Sequence, residues 1–272
     1  MVSDWEKGTV AVQQGHLGWH RTGGDLPPLV LVHGLTDNGL CWARLAAALS
    51  DRFDVIMIEA RGHGDSSPMP AGEPPEPAQD LCDALTTLGI ASPVLVGHSI
   101  GARAAVGLAA LMPAFPAALV MEDPPLMLPF TATEMHARRT QFAAHVAELR
   151  AKSEAVLIAQ CRVQSPTWHE FDLPDWAAAK HQVDPAALPA LSASWQDDFA
   201  AIRVPTLILA GEPALGSMVG EAELAEACAI NPRITAARIM GAGHNVRREN
   251  FVGYLAVLRQ FLHHSAGRES DR

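Results

Sequence analysis

Gly97-His98-Ser99-Ile100-Gly101 is the segment of this chain with the clearest chemical content. The apolar run Val94-Leu95-Val96 leads into it, and an Ala/Leu-rich helical pattern follows over 100–112. A serine between a strand and a helix sits on a sharp turn that lifts its hydroxyl above the sheet edge. Small flanking residues relieve the crowding of that backbone. The first turn of the helix then presents a backbone N–H to a developing oxyanion. The context assigns Ser99 as a nucleophile. A serine hydroxyl is weak until a base accepts its proton, and histidine is the usual base near neutral pH. Of twelve histidines, His244 stands in Gly241-Ala242-Gly243-His244-Asn245, directly after the last strand-like run. Such carboxyl strand ends are where open α/β sheets bind ligands. A third segment, His33-Gly34-Leu35, follows another apolar run. Its turn supplies a second oxyanion donor, the N–H of Leu35, beside that of Ile100. His33 itself reads equally well as structural or functional. The polar loop Glu59-Ala60-Arg61-Gly62-His63-Gly64-Asp65-Ser66 reads as structural.

Placing these residues requires strands that end near one another. Short apolar runs predict strands at 28–32, 55–58, 94–96, 118–121, 206–209 and 234–240. Helical patterns at 40–50, 78–88, 100–112 and 249–262 alternate with them, and a proline-rich loop covers 68–77. That alternation predicts an α/β fold, a mainly parallel sheet with flanking helices. The rhythm breaks between 124 and 202, where no strand is expected and helical patterns cover 134–160 and 176–195. The expected organisation is a core domain of 1–123 and 203–272, interrupted by a helical insertion of 124–202. A polar, frayed tail is expected over 265–272.

Composition bounds the function. The 272 residues are 49% hydrophobic and 18% charged, which suits one globular core. A net charge of -10 excludes a nucleic-acid partner, which calls for a basic face. The apolar runs are too short to span a bilayer, and the first residues lack the pattern of a signal peptide. Neither a membrane partner nor secretion is expected. Cys41, Cys82, Cys161 and Cys228 are scattered without metal-binding or redox spacing, so they read as small apolar fillers in a reducing cytoplasm. No metal-ligand spacing or phosphate-cradling glycine loop stands out, so the expectation is no metal and no cofactor.

Together the His33-Gly34 turn, the Arg61-Gly62-x-Gly64-x-Ser66 loop, the Gly-His-Ser-x-Gly segment and Gly241-x-Gly243-His244 resemble the α/β-hydrolase superfamily over nearly the whole chain. The resemblance implies an α/β-hydrolase fold, with 124–202 as a helical cap over the active site. Ser99 excludes the dehalogenase and epoxide-hydrolase chemistries, which the resemblance ties to aspartate at that position. Many members carry the triad acid three residues after the glycine that ends the strand at 206–210, and here that residue is Ala214. Glu122 becomes the leading candidate, because Val120-Met121-Glu122 resembles the acid placement of zearalenone-type lactonases. Asp123 and Glu212 remain competitors.

The expected activity is hydrolysis of a small, mostly apolar carboxylic ester or lactone through an acyl-enzyme, with Ser99, His244 and Glu122 as triad. Trp168 and Trp176 of the cap are candidate substrate-binding residues or cap core. The alternatives are a carbon–carbon bond hydrolase, disfavoured by Ala214, and a ligand-sensing receptor on the same fold.

Overall fold

The computed structural model describes residues 5–72, 74–127, 130–190 and 194–266. Most of the tail expected to fray therefore lies outside the described residues. Two elements precede the foreseen strands, β1 (Glu6–Val12) and β2 (Gly15–Arg21), an antiparallel hairpin. Next come β3 (Pro28–Val32), α1 (Ala43–Leu49), β4 (Asp54–Ile58), α2 (Pro77–Thr87), β5 (Val94–His98) and α3 (Ile100–Leu111). After β6 (Ala118–Glu122) come α4 (Ala132–Arg150), α5 (Glu154–Gln164), α6 (Leu173–His181) and α7 (Trp195–Ala201). The chain then returns through β7 (Thr206–Ala210), α8 (Glu221–Ile230), β8 (Ile234–Arg238), α9 (Val246–Glu249) and α10 (Phe251–Ala266).

One eight-stranded sheet has the order β1-β2-β4-β3-β5-β6-β7-β8. It is parallel from β4 to β8 and antiparallel only where β2 meets β1 and β4. The central strands are buried on both faces, which is why they read as unbroken apolar runs. Alternation within β3 shows the two faces. Leu29 and Leu31 pack with Trp42, Leu45, Tyr254 and Leu258. Val30 and Val32 pack on the other side with Leu81, Leu85, Ala105 and Leu108. Each large side chain so buried contributes about 1.5–3 kcal/mol.

Between β6 and β7 the described residues form helices and turns but no strand. Thr131 and Glu134 form a reciprocal capping box that starts α4. Val146 of α4 packs with Val183 and Ala187 from the segment after α6 in a small separate cluster. Helix α7 behaves differently. Its Trp195 and Phe199, and Ile202 after it, join the core cluster of the sheet and α3. Helix α6 is fastened to the loop after β3: Lys180 Nζ donates to the Thr36 carbonyl at 2.7 Å, and Asn38 Nδ2 to Gln182 Oε1 at 2.7 Å. Among the described residues no helix is long and apolar enough to cross a membrane.

Candidate active site

Strand β5 ends at His98, and Ser99 follows with φ 53° and ψ −122° before α3 begins at Ile100. A positive φ on a serine costs about 1–3 kcal/mol and persists only where the surroundings enforce it. Two glycines make room. A Cβ at Gly97 would lie 2.5 Å from Ala102 Cα, and one at Gly101 would lie 2.4 Å from the carbonyl oxygens of Val32 and His33. The start of α3 is thereby pressed against the turn after β3. A Cβ at Gly34 would sit 3.2 Å from Ser99 Cβ, so the Gly34-Leu35 turn stands beside the nucleophile candidate. Leu35 and Ile100 both line a cavity at this point.

The loop that carries His244 reaches the same place. His98 Nε2 donates to the His244 carbonyl at 3.0 Å, and the two rings lie 4.8 Å apart. Burial, then Arg247, then the neighbouring His244 hold the His98 imidazole well below its ordinary pKa, so it stays neutral. His244 Nδ1 donates to Asp123 Oδ2 at 2.7 Å. That bond fixes the tautomer and leaves Nε2 as the acceptor, the form a general base needs.

The carboxylate that meets His244 is that of Asp123, not that of Glu122 as expected. Asp123 is fully buried, at the C-terminal edge of the sheet, with φ 42°. Besides His244, it accepts hydrogen bonds from Ser217 Oγ and, at 2.8 Å, from the Met218 N–H. Glu122 points the other way. Its Oε1 accepts from the Arg247 N–H at 2.9 Å and its Oε2 from Arg247 Nη1 at 2.9 Å. Burial pushes the Glu122 carboxyl upward in pKa, against the pull of Arg247. The physical reason is strand alternation: successive residues face opposite sides, and only one of the pair can meet His244. Glu212 is engaged elsewhere, accepting from the Gly241 N–H at 2.6 Å.

A buried ionic cluster unforeseen from sequence is built on the loop after β3. Asp37 meets Lys180 at 3.2 Å, Arg248 at 2.9 Å and Arg247 at 3.4 Å. Burial alone would raise the Asp37 pKa, but Arg248, Lys180 and Arg247 override it and hold the carboxyl well below its ordinary range. Trp168 and Trp176 are drawn to this cluster. Their rings meet edge to face at 5.8 Å, with Arg248 over Trp168 at 4.8 Å and Lys180 Nζ over Trp176 at 4.9 Å. Neither lines the cavity beside Leu35 and Ile100. Among the described residues no group of three His, Cys, Asp or Glu side chains is placed to hold a metal ion.

The family model for the alpha/beta hydrolase family matches residues 29–252. N-formylmaleamate deformylase from Pseudomonas putida is 29% identical over 255 residues, covering 90% of this chain and 91% of that protein. The crystal structure of E-2-(acetamidomethylene)succinate hydrolase superposes with a TM-score of 0.73 at 25% identity, covering 95% of this chain and 99% of that one. Naproxen esterase from Bacillus subtilis, at 22% identity and a TM-score of 0.73, covers 94% of this chain and 91% of its own, a likeness of fold. With the matched region running from β3 into α10, and the strand-end serine and histidine inside it, the chain belongs to the alpha/beta hydrolase family.

Proposed function

We propose that this protein hydrolyses a small carboxylic ester or lactone through an acyl-enzyme, with Ser99 as nucleophile, His244 as base and Asp123 as acid. The observation that carries the reading is the 2.7 Å hydrogen bond from His244 Nδ1 to buried Asp123, on the loop that His98 pins beside Ser99.

In the first step the Ser99 hydroxyl proton passes to His244 Nε2 as Oγ bonds to the substrate carbonyl carbon. The carbonyl π pair moves to oxygen, where the N–H groups of Leu35 and Ile100 receive it. Asp123 stabilises the imidazolium and holds the ring orientation. Collapse of the tetrahedral adduct breaks the bond to the leaving oxygen, which takes the proton from His244. Water, deprotonated by the same histidine, then cleaves the acyl-enzyme and frees the acid. No step needs a metal or a cofactor.

A second reading uses the same groups on an acyl–nitrogen bond. The likeness to N-formylmaleamate deformylase over nine-tenths of the chain favours it. In either case we propose that the helices between β6 and β7 shape the space above Ser99 and so select the substrate.

The test is labelling with a fluorophosphonate and mapping of the adduct, followed by a panel of aryl esters, lactones and formamides. The expected result is a single adduct on Ser99 and turnover of at least one of these classes. An adduct on another serine, or turnover that persists in Ser99→Ala, overturns it.

A further inference from the structure

Asp123 has two carboxylate oxygens, and only one of them bonds His244. Oδ2 accepts from His244 Nδ1 at 2.7 Å and from the Met218 N–H at 2.8 Å. Oδ1 accepts from Ser217 Oγ, on the loop between β7 and α8. The Ser217 hydroxyl is itself oriented. Its oxygen accepts from the N–H of buried Val219 at 3.3 Å, which leaves the hydroxyl proton for an acceptor. Two acceptors stand in reach, Asp123 Oδ1 and, at 3.4 Å, the Val219 carbonyl. The carboxylate is the closer and the stronger, and it takes the proton.

The loop that carries Ser217 is laced to the loop that carries His244. The Glu212 N–H donates to the Ala242 carbonyl at 2.6 Å, and Glu212 Oε1 accepts from the Gly241 N–H at 2.6 Å. The Ser217 N–H donates to the Glu212 carbonyl at 3.2 Å. Ser217 is thereby tied through the backbone to the histidine loop and through its hydroxyl to the acid. The torsion that turns a carboxylate about its last bond is soft, with a broad two-fold profile. Two donors on Oδ2 leave the other oxygen free to swing. A donor on Oδ1 fixes the plane, because turning the carboxylate then breaks a charge-assisted hydrogen bond in a fully buried site.

We infer that Ser217 is a positioning residue for catalysis: by binding the far oxygen of Asp123 it fixes the carboxylate plane, and through it the His244 ring, in the orientation that takes the Ser99 proton. The inference rests on Ser99, His244 and Asp123 as the triad. Ser217 acts through Asp123, so its removal falls on the chemical steps and leaves substrate binding in place.

The experiment compares Ser217→Ala, Ser217→Thr, Asp123→Asn and the double variant Ser217→Ala/Asp123→Asn, each checked for folding by circular dichroism. Two quantities are read: kcat and KM on the best p-nitrophenyl ester, and the second-order rate at which a fluorophosphonate labels Ser99, which uses the same base. Ser217→Ala should lower kcat and the labelling rate about tenfold, with KM within about twofold of the wild type. Ser217→Thr, which keeps the hydroxyl, should recover most of that loss. In the Asp123→Asn background the Ser217→Ala change should cost less than about twofold, since the carboxylate it held is gone. Should Ser217→Ala not fold, Ser217→Cys, a weak donor of similar size, takes its place under the same expectations. A purely structural role would lower Tm and leave the labelling rate of the folded variant unchanged, and that result overturns the inference. So does a Ser217→Thr protein as slow as Ser217→Ala, or a tenfold loss repeated in the Asp123→Asn background. Failure of the triad reading looks different: wild type without a Ser99 adduct, or unchanged labelling in Asp123→Asn. A crippled Asp123→Asn beside an unimpaired Ser217→Ala sinks only the role of Ser217.

Discussion

The backbone N–H of Ser99 donates to the carbonyl of Glu122 at 2.9 Å. This bond continues the β5–β6 ladder one step past the strand ends, where His98 and Glu122 are register partners. Ser99 and Asp123 are thus the matching first residues beyond two adjacent parallel strands. Both have left-handed φ, 53° and 42°. His98 and Glu122 form the level beneath, and both are spent on holding the loop after β8, His98 through the His244 carbonyl and Glu122 through Arg247.

Glu122 and Arg247 form a buried ion pair, so their variants should read in stability. Arg247→Met leaves Glu122 fully buried without its cation, a change that costs about 3–5 kcal/mol for pairs of this kind. The expected outcome is a large fall in Tm by calorimetry. Glu122→Gln should lower Tm by less, with kcat of the folded fraction within several-fold of the wild type.

Acid should destabilise the fold earlier than carboxylate titration alone would. His33, His63 and His98 are buried, and burial depresses the pKa of each from 6.5, that of His63 to about 3. In the unfolded chain they regain protons near 6.5, so the unfolded state binds more protons below that pH. Their contribution is fully present above about pH 6.5 and is lost as pH falls from there towards the folded values, at up to about 1.4 kcal/mol per pH unit for each histidine. Urea unfolding at several pH values should show this slope, and His63→Phe should flatten it by one proton. A flat stability profile between about pH 6.5 and 5 contradicts the neutral, buried state of these rings.

Substitution of Trp168 and Trp176 separates anchoring from selectivity. Arg248 and Lys180 occupy one face of Trp168 and Trp176 respectively, within the cluster that fastens α6 to the loop after β3. Trp168→Ala and Trp176→Ala should lower Tm and change the ratio of kcat/KM between small and bulky esters by less than about threefold. A larger ratio change at unaltered Tm would place both rings in the substrate path.

Much of this arrangement was legible because its signals are local. Ser99 was readable from glycines whose Cβ positions are blocked by backbone, and the buried parallel strands from unbroken apolar runs. The residue bonded to His244 is Asp123 and not its neighbour Glu122, a difference sequence does not settle, since strand alternation says that the two diverge but not which way each turns. The register is what decides: the residue matching Ser99 across the ladder is the one after Glu122. The β1–β2 hairpin left little trace because it is an edge element in which Val10 and Leu17 are the main buried side chains. Its two-residue turn, Gln13-Gln14, also lacks an Asn-Gly signal. The Asp37 cluster joins charges more than a hundred residues apart, and no spacing rule could assemble it.

The assignment of Asp123 is tested most directly by the kcat of Asp123→Asn on the best ester found, with folding checked by circular dichroism and Ser99 titrated by fluorophosphonate. An amide in place of the carboxylate favours the wrong histidine tautomer, and the expected result is a loss of about 10⁴-fold in kcat in a folded protein. Activity within tenfold of the wild type, or a loss matched by Glu122→Gln, would contradict it.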